Sequence, residues 1–198
     1  MHDLDEITLT RARRGDAQAF AALVTRYQRP VHAVVGRVLL GVASAAEVDE
    51  LAQEVFLRVY RALPGFESRG PGRLTKWVLT IASRLAIDEL RRPRARVVPI
   101  DAEALEAPGP AADAATARRQ LTASLVLALE TLTPEQRATF VLREFHDFDH
   151  DELARALEVD VGTIKSRLSR ARTALRALLA EHHQGAPTRA LPTGDHDV

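Results

Sequence analysis

Apolar residues recur at helical spacing along most of the chain, and the alternation that marks strands is nearly absent. Phe20, Leu23, Val24 and Tyr27 fall at i, i+3, i+4 and i+7 behind Asp16, which suits an N-cap. Val31, Val34, Val35 and Val38 repeat the spacing after Pro30, where a break or kink is expected. Gly41–Ser44 reads as a loop. A helix is predicted over Glu47–Leu63, with Val48, Leu51 and Val55 on one stripe and Ala52, Phe56 and Val59 beside it; Pro64-Gly65 ends it. Phe66–Gly72 reads as a second loop, and Leu74, Val78, Ile81 and Leu85 mark a long helix ending near Arg92-Pro93.

Beyond Pro93 the pattern changes: Pro99, Pro108, Gly109 and Pro110 sit among alanines with Asp101, Glu103, Glu106 and Asp113, the composition of a linker. Leu121, Leu125 and Leu129 then lead a helix. Thr133-Pro134-Glu135 starts another with Pro at its first position, and helices over 149–158 and 161–180 follow. The expected fold is all-α: a helical domain over 1–93, a flexible acidic linker over 94–117, a small four-helix domain over 118–182, and a disordered tail over 183–198. No apolar run reaches the length of a membrane span, and the acidic N-terminus is unlike a signal peptide. The expectation is a cytoplasmic protein without direct membrane insertion.

The 27 basic and 27 acidic residues cancel, so only their distribution informs. Residues 144–160 hold seven acidic side chains against one Arg, whereas 161–176 hold Lys165, Arg167, Arg170, Arg172 and Arg176 and no acid. A second basic cluster comprises Arg84, Arg91, Arg92, Arg94 and Arg96. Two basic blocks suit a nucleic-acid partner, although solvated helix faces account for charge alone equally well. With no cysteine there is neither a disulfide framework nor a thiol nucleophile.

Residues 149–168 decide between these readings. A short acidic helix, a three-residue turn and a basic helix follow one another, the layout of a helix-turn-helix whose second helix enters the major groove. Asp160 can cap the second helix, Ile164, Leu168, Ala171 and Leu175 form its inward stripe, and Thr163, Ser166, Arg167 and Arg170 project outward with Lys165 at the flank. Arg can fork onto guanine, and Ser and Thr can bond phosphates or base edges. A helical hairpin within a bundle is the bland alternative, and the acid-free second helix argues against it.

The segments Leu132-Thr133-Pro134, Arg137, Leu142-Arg143-Glu144, Glu152-Leu153-Ala154, Val161–Leu168 and Arg170-Ala171-Arg172 resemble region 4 of bacterial sigma factors of the extracytoplasmic-function group, in the sigma-70 family. Gly15-Asp16, Ala19-Phe20 and Leu23-Val24 resemble the start of region 2. Asp49–Phe56 resembles the polymerase-binding helix. Trp77, Ile81-Ala82, Ala86-Ile87-Asp88 and Leu90-Arg91-Arg92 resemble the helix that reads the minus-ten element. The blocks stand in family order over about residues 7–180.

The resemblance implies a factor that binds core RNA polymerase and directs promoter-specific initiation by recognising and melting promoter DNA. Asp49, Glu50, Gln53, Glu54 and Arg58 would meet core polymerase, on clamp helices of its largest subunit. Lys76, Trp77, Ser83, Arg84, Ile87, Asp88 and Arg91 would meet the minus-ten element. Arg143, Thr163, Lys165, Ser166, Arg167, Ser169 and Arg170 would meet the minus-thirty-five element. The family places a pocket for a flipped base at the loop corresponding to Phe66–Arg73; Trp77, spaced i, i+4 from Ile81, also reads as core. Two positions depart from the family: Arg84 stands where Asn is usual, which puts minus-ten specificity in doubt, and Leu74 where an aromatic is common. The few aromatics suggest weak melting and demanding promoters. The acidic linker resembles the segment threaded toward the RNA exit path, while its composition fits a spacer equally well.

An anti-sigma factor is a further expected partner by resemblance. The other readings are a stand-alone DNA-binding regulator with a helical sensing domain, and an interaction protein that never touches DNA. Asp147–Asp151 with Glu158 imitates a calcium loop but has Glu152 where Gly is needed, and His146 with His150 reads as a wet inter-helix turn rather than a metal pair. No phosphate loop, metalloprotease motif or nucleophile elbow occurs, so no catalysis, cofactor, metal or small-molecule substrate is expected.

Overall fold

A computed structural model describes residues 3–67, 72–92 and 126–184. The expected linker at 94–117, Leu121 and Leu125, and residues 185–198 of the expected tail lie outside the described residues. The first domain contains α1 (Glu6–Arg13), α2 (Ala17–Val38), α3 (Ala45–Ala62), a 3-10 turn (Leu63–Gly65) and α4 (Arg73–Arg91). The second contains helical residues 126–130, then α5 (Pro134–His146), α6 (His150–Leu157) and α7 (Val161–Gln184). No strand occurs among the described residues. Helix α7 runs past the expected end at 180 and takes in the first residues assigned to a tail.

Local caps start most helices. Asp16 accepts from the Ala19 amide at 3.0 Å, as its position suggests. Ser44 and Glu47 form a reciprocal capping box on α3, Thr133 and Gln136 one on α5, and Asp149 and Glu152 one on α6. Helix α4 is different, because its N-cap, Gly72, has no side chain to offer. Asp3 supplies the missing acceptor from the other end of the domain, taking the Leu74 and Thr75 amides at 3.3 and 3.1 Å and the Thr75 hydroxyl at 2.6 Å. The buried Tyr27 hydroxyl donates to the same carboxylate at 3.2 Å.

Helix α2 continues through Pro30, contrary to the expected break. Proline costs about 3 kcal/mol in a helix interior. Tyr27, Val31, Val34, Val35 and Val38 are all fully buried on one continuous stripe, at roughly 1.5–3 kcal/mol per side chain. Burial wins. Helices α1, α3 and α4 pack on α2, while α5 lies against both α2 and α4 and α6 against α4, so a single apolar core passes from Leu9 to Leu168.

Arg137, on α5, fastens the two domains. Its side chain is 5% exposed, and burial lowers its pKa without a facing carboxylate bond. One guanidinium nitrogen donates to the carbonyls of Val38 (3.1 Å) and Leu40 (2.6 Å) at the end of α2. Another donates to those of Glu130 (3.2 Å) and Leu132 (3.3 Å). Leu40 meanwhile packs among Val126, Leu129, Leu132 and Ala171 of the second domain. Gly41 permits this approach: at φ +77° a side chain would be strained, and a Cβ would stand 3.0 Å from the Glu130 carboxylate.

Arg137→Ala should lower the unfolding free energy by about 2–4 kcal/mol, because several buried carbonyls lose their donor together. Urea denaturation followed by circular dichroism checks this, and Arg137→Lys, which cannot span both carbonyl pairs, should fall between.

Candidate nucleic-acid and polymerase interfaces

The turn between α6 and α7 is built as the sequence suggests. Leu157 ends α6, Glu158–Asp160 make the turn, and Asp160 accepts from the Thr163 amide and hydroxyl, each at 2.7 Å. The Thr163 hydroxyl, followed by its amide, holds the Asp160 pKa below the ordinary carboxylate value. A Cβ on Gly162 would stand 2.9 Å from the Asp160 carboxylate, so glycine leaves room for the cap. Ile164, Leu168, Ala171 and Leu175 are buried, as expected of the inward stripe.

On the opposite side of α7, Lys165, Ser166, Ser169 and Arg170 are exposed and Thr163 and Arg167 half-buried. The Thr163 hydroxyl proton is committed to Asp160, and the Ser166 hydroxyl donates back to the Thr163 carbonyl at 2.9 Å. That leaves Lys165, Ser169 and Arg170 as the most outward members of the set. Arg143 is half-buried and donates to the Phe148 carbonyl at 2.6 Å, bracing the turn between α5 and α6.

The minus-ten candidates on α4 divide into two groups. Asp88, Arg84 and Arg91 are exposed, and Lys76 and Trp77 half-buried. Ser83 and Ile87 are buried, so in this arrangement neither reaches solvent, in contrast to their expected role. Trp77 packs on the core beside Phe66, with ring centres 4.8 Å apart, as its spacing suggests, and it also lines a cavity of about 470 Å³. Phe66, Lys76, Phe148, Glu152 and Arg155 line the same cavity, which therefore draws its walls from both domains. Leu74 is buried at the start of α4, so it does not stand in for an exposed aromatic.

On α3, Asp49, Glu50, Gln53 and Arg58 are exposed, and Glu54 is half-buried and paired with Arg58 at 3.0 Å. Asp49 faces His32 Nε2 at 3.1 Å. Reading polarity alone missed Leu57 and Tyr60, which are 51% and 49% exposed. Helical spacing puts Leu57 at the centre of the outward face, between Gln53, Glu50 and Glu54. An exposed leucine ringed by polar groups has the form of an interaction anchor. The detectable signal was its position opposite the buried Ala52, Val55 and Val59 stripe.

His146 does not lie in a wet turn. Its Nε2 is buried without a partner, and burial, then the charge of Arg37, lowers its pKa to about 4 against the opposing pull of Asp147. Arg37 itself lies over the Phe145 ring at 4.5 Å. Among the described residues no group of three or more His, Cys, Asp or Glu is placed to hold a metal ion.

The Sigma-70 region 2 family matches residues 23–96, and the family described as Sigma-70, region 4 matches residues 122–175. The RNA polymerase sigma-H factor of Pseudomonas aeruginosa is 33% identical over 181 residues, covering 86% of this chain and 91% of that relative. The ECF RNA polymerase sigma-E factor of Escherichia coli is 31% identical over 181 residues, covering 86% and 92%. Among solved structures, CnrH in complex with the cytosolic domain of CnrY shares the fold, with a TM-score of 0.62 and 24% identity over 90% of this chain and 99% of that one. The sigma factor RpoE of Bartonella quintana, in complex with the anti-sigma factor NepR, has a TM-score of 0.59 at 21% identity, covering 80% and 97%. The chain belongs to the extracytoplasmic-function group of the sigma-70 family, the RNA polymerase sigma factors that direct promoter-specific transcription.

His146 also makes a prediction. Unfolded histidine takes up its proton near pH 6.5, whereas the folded side chain stays neutral to about 4. The unfolded state therefore binds more protons in that window, and stability falls as the pH falls from 6.5 toward 4. His146→Gln should flatten this decline, as measured by urea denaturation at several pH values across the window.

Proposed function

We propose that this sigma factor docks on core RNA polymerase through the outward face of α3, reads the minus-thirty-five element with α7, and holds and melts the minus-ten element with α4. The observation that carries the DNA reading is the division of α7. One side buries Ile164, Leu168, Ala171 and Leu175, while the other presents Lys165, Ser169 and Arg170 directly behind a capped three-residue turn. A helix so placed can enter a major groove with its N-terminal turns first. The stand-alone regulator is disfavoured by α3, since such a protein has no use for Leu57 exposed among Glu50, Gln53 and Glu54.

On this reading the domains extend over 1–93 and 118–182, joined by the linker at 94–117. The protein directs an enzyme and performs no bond chemistry itself. It acts in the cytoplasm, where core polymerase and promoter DNA are found; among the described residues no helix is long and apolar enough to cross a membrane. RpoE of Bartonella quintana carries the anti-sigma factor NepR in its solved structure, which supports an anti-sigma partner for this chain as well.

Run-off transcription with purified core polymerase on a promoter library tests the proposal. Transcripts should appear only with the added protein and should be lost with Leu57→Ser, which should weaken core binding at least about tenfold. Silence from a folded protein, or full activity of Leu57→Ser, would remove the corresponding assignment. In promoter binding by the holoenzyme, Lys165→Ala and Arg170→Ala should each lower affinity and reduce the slope of log affinity against log salt by about 1. Unchanged slopes would count against a phosphate or groove role.

A further inference from the structure

The start of α4 carries Lys76 and Trp77, yet the chain does not cap it locally. Its N-cap, Gly72, stands at φ 73°, a left-handed entry that favours glycine. A capping side chain at 72 would be strained there, and it would lack the extended backbone from which N-caps reach the helix amides. Asp3 fills the role from 71 residues before Leu74. Its Oδ2 accepts from the Leu74 amide at 3.3 Å, and its Oδ1 from the Thr75 amide at 3.1 Å and the Thr75 hydroxyl at 2.6 Å. These amides belong to the second and third helical positions, either of which a local cap would serve. The carboxylate also stands at the positive end of the helix dipole.

Asp3 is itself held in place. The Tyr27 hydroxyl, on a fully buried ring, donates to Oδ1 at 3.2 Å. Leu4 packs against the core, and Asp5 caps α1 through the Thr8 amide at 2.9 Å. The start of α4 is thus registered against α1 and α2. The Lys76 amide makes the first intrahelical bond, to the Gly72 carbonyl at 3.1 Å, so loss of the cap frays the turn that leads into Lys76 and Trp77. Both residues line the cavity shared with Phe66, on which the Trp77 ring rests. Opening a duplex requires a base to leave its stack, and a receiving surface helps most when its walls already stand in place.

We infer that Asp3 is a positioning residue for promoter melting: it caps α4 from ahead of α1 and so holds Trp77 and Lys76 in the geometry that receives unstacked minus-ten DNA. The inference rests on the minus-ten reading of α4 proposed above.

Trp77 is the only tryptophan of the chain, so its fluorescence reports on this turn. In the full-length protein, Asp3→Ala should shift Trp77 emission to longer wavelength and increase its quenching by acrylamide. Asp3→Asn keeps one acceptor oxygen but turns an amino group toward the other amide, and should fall between. Holoenzyme made with core polymerase then transcribes one promoter from the run-off library, both as duplex and with mismatches across the minus-ten element. Asp3→Ala should lower transcription from the duplex about tenfold and from the mismatched template less than about twofold, because the mismatches remove the unstacking step. Asp3→Asn should again be intermediate. Equal loss on both templates overturns the inference, since Asp3 would then only support the fold. Undiminished transcription from the duplex, or unchanged Trp77 emission, overturns it too; all three results leave the minus-ten reading standing. If instead Trp77→Ala and Lys76→Ala each transcribe the duplex as well as the unaltered protein, the minus-ten reading itself falls, and the inference falls with it.

Discussion

One buried guanidinium organises the junction on which the whole arrangement depends. Arg137 gathers carbonyls from the end of α2 and from the segment preceding α5, with the Glu130 charge nearby but no carboxylate bonded to it. Carbonyl dipoles are a poor substitute for water around an isolated cation, so several must converge for burial to be tolerated. Their convergence fixes where the second domain begins relative to the first. Leu40 can then enter the apolar cluster of the second domain, and Arg37 can lie over Phe145. A lysine at this position has the charge without the fork, and so could not bind both carbonyl pairs in the same plane.

From that junction the remaining interdomain contacts run along α4 with a consistent sign. Cations on α4 meet carboxylates or carbonyls on and just after α5 and α6, while α7, without an acid over 161–176, turns Lys165 and Arg170 outward. The zero net charge of the chain is thus a sum of complementary surfaces. Each surface ion pair contributes little individually, roughly 0.2–1 kcal/mol. Beside them, burial along the single apolar core, which passes from Leu9 to Leu168 through both domains, holds the helices together.

Much of this was legible in the residue pattern, and the reasons are local. The Asp16, Thr133 and Asp160 caps act within three residues of themselves, so their chemistry can be read directly. The inward stripe of α7 follows from helical periodicity alone. The first turn of α4 was not legible, since its acceptor is Asp3, 71 residues before Leu74. Helix α1 also went unassigned, and the break expected at Pro30 did not occur, because burial on both sides of the proline decided the matter. His146 looked wet from its polar neighbours, yet packing removes its Nε2 from solvent.

What the sequence by itself determined, then, is the all-helical class and the helix-turn-helix, because these depend on periodicities and spacings within one or two turns, and the family, through the resemblance of its motifs. Tertiary structure alone decided which faces those helices present. Leu57 is exposed because the helix buries Ala52, Val55 and Val59 on its other side; Ser83 and Ile87 are buried on α4, which packs against helices of both domains. Arg84 appears in the sequence only as a residue where the family resemblance leads one to expect asparagine. Its three partners lie at 155, 156 and 158, and no spacing rule connects residues that far apart until the chain has folded back on itself.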